Sequence, residues 1–75
     1  MKSLMHVLGS RGDTETRWDP QDAGSVSRAR EVFEGYRQEG YLTFSVSEPG
    51  AEADHVRDFD PAAHEIIVTR PLRGG

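Results

Sequence analysis

The residues with the most distinctive chemistry are two consecutive glycines, Gly74 and Gly75, in the closing stretch "PLRGG". Glycine adds almost nothing to packing and leaves the backbone freer than any other residue. A pair of them after a strand-like run has one positive use, an unhindered acyl group at the carboxylate of Gly75. The chain has no cysteine, so it holds no thiol nucleophile, no disulfide and no thiolate metal site. Any thioester that includes Gly75 therefore takes its sulfur from another molecule. The bland counterpart is that frayed termini and expression remnants also carry glycines; against it stand the chain's size and the strand directly upstream.

The other chemistry-bearing residues give weaker signals. His6, His55 and His64 do not share a metal-ligand spacing, and "HEII" at His64 to Ile67 lacks the second histidine of a zinc helix. No metal and no bound cofactor is expected. "RGD" at Arg11 to Asp13 is read as hairpin-turn chemistry. Asp54, Asp58 and Asp60 are dense enough for a cation but are expected to be a solvated loop. Lys2 is the single lysine beside eight arginines. It leaves one side-chain amine for self-modification, so extended polymers of mixed linkage are not expected.

Seventy-five residues fit one domain. The formal net charge is −4 with the two signs interspersed, and no basic stripe marks a nucleic-acid surface. No apolar run approaches the roughly 18 residues of a membrane span, and "MKSLMHVLG" is too short and broken for a signal peptide. The expectation is a soluble cytoplasmic protein without nucleic-acid or membrane partners, and the Arg and Ala usage points to a bacterial genome.

The elements that must carry these residues follow from periodicity. Ser3 to Leu8 alternates as a strand, with Met5 and Val7 on one face and Leu4, His6 and Leu8 on the other. "GSRGD" is a turn, and Thr14 to Trp18 alternates as the second strand of a hairpin. Asp19, Asp22 and Ser25 are alternative N-caps. Val26, Ala29, Val32, Phe33 and Tyr36 then recur at helical spacing, Arg30 and Glu34 stand four apart as an ion pair, and Gly40 ends the helix. "YLTFSV" is a strand with Leu42, Phe44 and Val46 on one face and Tyr41, Thr43 and Ser45 on the other. "SEPGAEAD" is a loop, "HVRDF" a short strand, "DPAAH" a turn and "EIIVT" the last strand, with Ile66 and Val68 opposite Ile67 and Thr69. One such helix cannot bury its stripe alone and must lie across the sheet. The predicted core is Met5, Val7, Trp18, Val26, Ala29, Phe33, Tyr36, Leu42, Phe44, Phe59, Ile66 and Val68. Leu4, Leu8 and Ile67 fall on the sheet face away from the helix. They are either isolated apolar residues on a solvated face or a shared partner patch, which only their adjacency decides.

A hairpin, a helix, further strands and a Gly-Gly ending resemble the β-grasp fold of ubiquitin-like proteins, and the resemblance in length, element order and ending covers essentially the whole chain. "LRGG" at Leu72 to Gly75 matches the ending of ubiquitin. "PLRGG" is also similar to the Pro-Val-x-Gly-Gly ending of the ThiS/MoaD sulfur carriers. Ubiquitin has Arg where this chain has Pro71. The resemblance implies an α+β fold with a mixed four- to five-stranded sheet packed on one helix. Residues 1–71 would form the β-grasp domain and residues 72–75 a flexible Gly-Gly tail.

The same resemblance implies a function. The chain would be a ubiquitin-like modifier of bacterial type, not an enzyme, with no catalytic residues of its own. A partner E1-like adenylating enzyme would use ATP to convert the Gly75 carboxylate to an acyl-adenylate. That adenylate would pass to a cysteine as a thioester, and then to an amine on a target protein as an isopeptide bond, or would accept sulfur as a thiocarboxylate. Gly74 and Gly75 would thread a narrow channel, while Pro71, Leu72 and Arg73 would bind the activating enzyme and offset the cost of ordering the tail, roughly 1–2 kcal/mol per residue. An E2-like conjugating enzyme and a deconjugating protease would be further partners. The alternatives are a sulfur carrier with a C-terminal thiocarboxylate and a non-covalent β-grasp binding or structural module.

Overall fold

The computed structural model describes residues 2–9 and 12–70. Strand β1 (Ser3–Gly9) and strand β2 (Gly12–Trp18) form an antiparallel hairpin in which Ser3 lies opposite Trp18 and Gly9 opposite Gly12. Gly12 has a φ of 117°, in the region that favours glycine, at the first position of β2. Gly12 and Asp13 of "RGD" thus belong to the strand and not to a turn, and Arg11 lies outside the described residues.

Helix α1 (Ala23–Gln38) starts at the middle one of its three candidate caps. Asp22 accepts a hydrogen bond from the Gly24 amide at 3.1 Å. Asp19 builds the preceding turn, accepting from the Gln21 amide at 2.9 Å, and the Ser25 hydroxyl accepts from the Asp19 amide at 3.0 Å. At the far end Gly40 has a φ of 89°. The Gly40 amide donates to Arg37 and the Tyr41 amide to Tyr36, both at 3.0 Å. These two bonds make a Schellman ending, and the Tyr36 and Tyr41 rings, with centroids 4.8 Å apart, supply the apolar contact that accompanies it. The expected Arg30–Glu34 ion pair does not form among the described residues. The Arg30 guanidinium lies 5.7 Å from the centroid of the Phe59 ring, whose electron-rich face competes for the cation.

Strands β3 (Leu42–Val46), β4 (Ala53–His55) and β5 (Glu65–Thr69) complete a five-stranded mixed sheet in the order β2-β1-β5-β3-β4. The central pair β1–β5 is parallel and the other pairs are antiparallel. This α+β arrangement is compatible with a β-grasp fold. The short fourth strand sits at Ala53–His55 instead of starting at "HVRDF", because Val46 pairs with Ala53 and Phe44 with His55. "DPAAH" turns as expected: the Asp60 carboxylate accepts from the Ala62 amide at 2.9 Å. That contact gives one member of the Asp54, Asp58 and Asp60 group a structural use, and all three are exposed.

The core lies between α1 and one face of the sheet. Met5, Val7, Trp18, Ala29, Phe33, Phe59, Ala63, Ile66 and Val68 form it, with Val26, Val32, Tyr36, Tyr41 and Val56 packed around it. Phe59 is 5.1 Å from the Trp18 ring and 5.6 Å from that of Phe33, tilted against both, so one loop residue ties α1 to β2. The Trp18 Nε1–H donates to the Pro61 carbonyl at 3.0 Å, which satisfies the buried indole.

Leu42 and Phe44 are corrections to the predicted core. Pairing with β5 places Thr43 opposite Val68 and Ser45 opposite Ile66. Both polar residues therefore share the face of the core strands, and both are buried. Leu42, Phe44 and Val46 turn to the other face. The Thr43 hydroxyl donates to the Val56 carbonyl, which removes the penalty for burying it.

Candidate functional site

The predicted reactive residues Gly74 and Gly75 and the predicted docking residues Pro71, Leu72 and Arg73 all lie outside the described residues. The structure does describe the strand that leads to them. Thr69 at the end of β5 lies between Leu8 of β1 and Leu42 of β3, and Arg70 follows it, exposed. The chain thus leaves the sheet from its central strand pair.

The face of the sheet opposite α1 holds the second predicted group. Strand alternation and register place side chains there in three rows. One row runs Asp13, Leu8, Thr69, Leu42; the next runs Glu15, His6, Ile67, Phe44, His55; the third runs Arg17, Leu4, Glu65, Val46, Ala53. Leu4 and Leu8 stand on either side of His6 along β1, and Ile67 is the cross-strand neighbour of His6. The three predicted patch residues therefore share one face, with His6 between Leu4 and Leu8 and Ile67 diagonal to both. Leu8 is 41% exposed, and Leu4 and Ile67 are half-buried.

The apolar surface extends beyond these three. Phe44 lies directly across from Ile67, and Leu42 is across from Thr69. Sequence reasoning assigned both to the core. The signal that could have moved them is the strand's other face: Thr43 and Ser45 could be buried once the Thr43 hydroxyl had a carbonyl partner. The Phe44 ring also meets the His55 imidazole, with centroids 5.4 Å apart.

Charge gathers on the β2 side of this face. The His6 ring nitrogens face Glu15 at 3.6 Å and Glu65 at 3.1 Å, and each contact becomes an ion pair when the imidazole is protonated. Arg17 reaches Glu15 at 3.4 Å. The two carboxylates lie against opposite nitrogens of one ring, a geometry in which they cannot converge on one cation. Among the described residues no group of three or more His, Cys, Asp or Glu side chains is arranged to hold a metal ion. Lys2 is exposed. Among the described residues no helix is long and apolar enough to cross a membrane.

The chain matches no protein-family model, no curated protein and no solved structure.

Proposed function

We propose that the chain is a ubiquitin-like β-grasp modifier, joined through the Gly75 carboxylate to an amine on a target protein after activation by an E1-like adenylating enzyme. The observation that carries this reading is the combination of one body and one motif. The body, among the described residues, is one helix laid across a five-stranded mixed sheet. The motif is the Gly74–Gly75 pair, which follows the last strand by a few residues.

The chemistry is balanced without a thiol on this chain. A carboxylate oxygen of Gly75 attacks the α-phosphorus of ATP and pyrophosphate leaves. A thiolate of the partner then attacks the acyl carbon and AMP leaves. An amine of the target displaces the thiolate and loses a proton, forming the isopeptide bond. Two residues without side chains let the acyl group reach the nucleotide, and Pro71 lowers the entropy lost when the tail is ordered. In this reading Leu72 and Arg73 contact the activating enzyme, an E2-like enzyme and a deconjugating protease act before and after conjugation, and the ATP-dependent step belongs in the cytoplasm. The chain itself is not an enzyme and binds no cofactor.

Pro71 favours a second product from the same activation. It resembles the sulfur carriers, in which the adenylate accepts sulfur to become a thiocarboxylate. Incubation with the cognate adenylating enzyme, ATP and a cell extract, read by intact mass, separates the readings. Conjugation gives larger covalent adducts, and a thiocarboxylate gives a gain of about 16 Da, sulfur in place of oxygen. An unchanged mass under all conditions supports an inert binding module and contradicts both.

A further inference from the structure

Strand β2 is an edge of the sheet, and the hydrogen bonds of β1 show which of its backbone groups are unpaired. The Leu4 amide donates to the His64 carbonyl, on the β5 side. Backbone groups alternate sides along a strand, so Leu4, His6 and Leu8 face β5, while Ser3, Met5, Val7 and Gly9 face β2. Their partners Trp18, Thr16, Thr14 and Gly12 therefore bond to β1. Asp13, Glu15 and Arg17 turn their N–H and C=O groups outward, and all three residues are exposed.

An open edge is a template for another strand. The sequence of β2 has neither proline nor lysine to blunt it, and its unbroken register with β1 leaves no bulge. The opposite edge, β4, is only three residues long.

The charges along β2 select a second copy of the chain as its occupant. In a two-fold antiparallel pairing, residues on the same face meet. Centring the pair on Thr14 sets Asp13 against Glu15. Centring it on Glu15 joins Asp13 to Arg17 but sets Glu15 against itself at the axis. Centring it on Thr16 sets Glu15 of each copy against Arg17 of the other and Thr16 against Thr16, both favourable cross-strand pairs. In that register the outward backbone groups of Glu15 and Arg17 also meet and exchange N–H···O=C bonds on either side of the axis. The ladder stops after Trp18, because the Asp19 amide is already bonded to the Ser25 hydroxyl. In the single chain Arg17 lies 3.4 Å from Glu15 of its own strand, and pairing exchanges this contact for the one across the axis.

We propose that two copies join along β2, antiparallel about a two-fold axis at Thr16, into one continuous sheet held in register by reciprocal Glu15–Arg17 pairs. Only the short β4 edges remain, so assembly closes at two. The β5 strands of the two copies run in opposite directions, and the two Arg70 residues leave opposite ends of the joined sheet. The inference does not depend on the fate of Gly75, and its test uses the purified chain without ATP or an activating enzyme, so its failure is distinct from failure of the conjugation reading.

The test is sedimentation equilibrium up to about 1 mM, with circular dichroism to check the fold of each variant. The wild type is expected to pass from monomer to dimer as concentration rises. Arg17→Glu should weaken the dimer about tenfold by placing like charges across the axis. The charge exchange Glu15→Arg with Arg17→Glu should restore it. The chain has no cysteine, so a single introduced thiol reports the register. Thr16→Cys sets two thiols in a non-hydrogen-bonded pair with Cα atoms about 4.5 Å apart, within disulfide reach, and should oxidise to a covalent dimer. Glu15→Cys sets them about 8 Å apart, beyond that reach, and should not. The proposal is overturned by a wild type that stays monomeric, which leaves the edge to another protein's strand or to none. It is also overturned by association that ignores Arg17→Glu, by a folded charge-exchange variant that does not recover, by Glu15→Cys cross-linking as well as Thr16→Cys, or by species larger than a dimer.

Discussion

Thr43 shows how one side chain decides the polarity of a strand. Its methyl group packs in the interior while its hydroxyl donates to the Val56 carbonyl, so a polar residue occupies a fully buried position. Thr43→Val keeps the shape and removes the donor, leaving the Val56 carbonyl without that partner. The expected loss is roughly 1–3 kcal/mol in urea unfolding, and an unchanged midpoint would show that the hydroxyl contributes nothing. Trp18 makes the complementary case for apolar burial. It is 1% exposed, tilted against the Phe59 ring and tied by its indole to Pro61. Trp18→Ala should cost about 3–5 kcal/mol in the same measurement. A negligible change would contradict the hairpin register, which fixes Trp18 opposite Ser3.

The helix provides a matched pair of glycine substitutions with opposite expected signs. Gly35 is in the exposed interior of α1, and a Cβ there meets nothing within 4 Å. Gly35→Ala should stabilise the protein by about 0.5–1 kcal/mol. Gly40 also has open space around it, but its φ of 89° strains any other residue. Gly40→Ala should destabilise by roughly 1–2 kcal/mol. Thermal melts of the two variants moving the same way would contradict the placement of the helix end. The elements were legible to different depths. β1, α1 and β5 have unambiguous faces, because Met5 and Val7, Ala29 and Phe33, and Ile66 and Val68 repeat at the period of their element. β3 misleads, because both of its faces are plausible interiors and pairing with β5 chooses between them. β4 has three exposed residues and no pattern of its own; its position is dictated by Val46 and Phe44 across the ladder. Ala63 is buried by the turn that brings Pro61 to Trp18, a contact spanning distant parts of the chain that local periodicity does not encode.

At the scale of the whole molecule, the two sides of the sheet have separate tasks. One holds the core under α1, while the other leaves an apolar surface with an acidic margin. That Leu4, Leu8 and Ile67 share one face was legible from strand alternation. Phe44 and Leu42 were not, for the reason given by β3. The proposed reactive end depends on neither face for its chemistry, and the described core contains no residue beyond Val68. Stability and activation should therefore separate. The most direct test is ATP–pyrophosphate exchange catalysed by the cognate adenylating enzyme, measured with the wild type, with Gly75 deleted and with Gly74→Ala, alongside thermal melts of all three. The account predicts exchange with the wild type alone and coincident melting curves. Full exchange by the Gly75 deletion would contradict it.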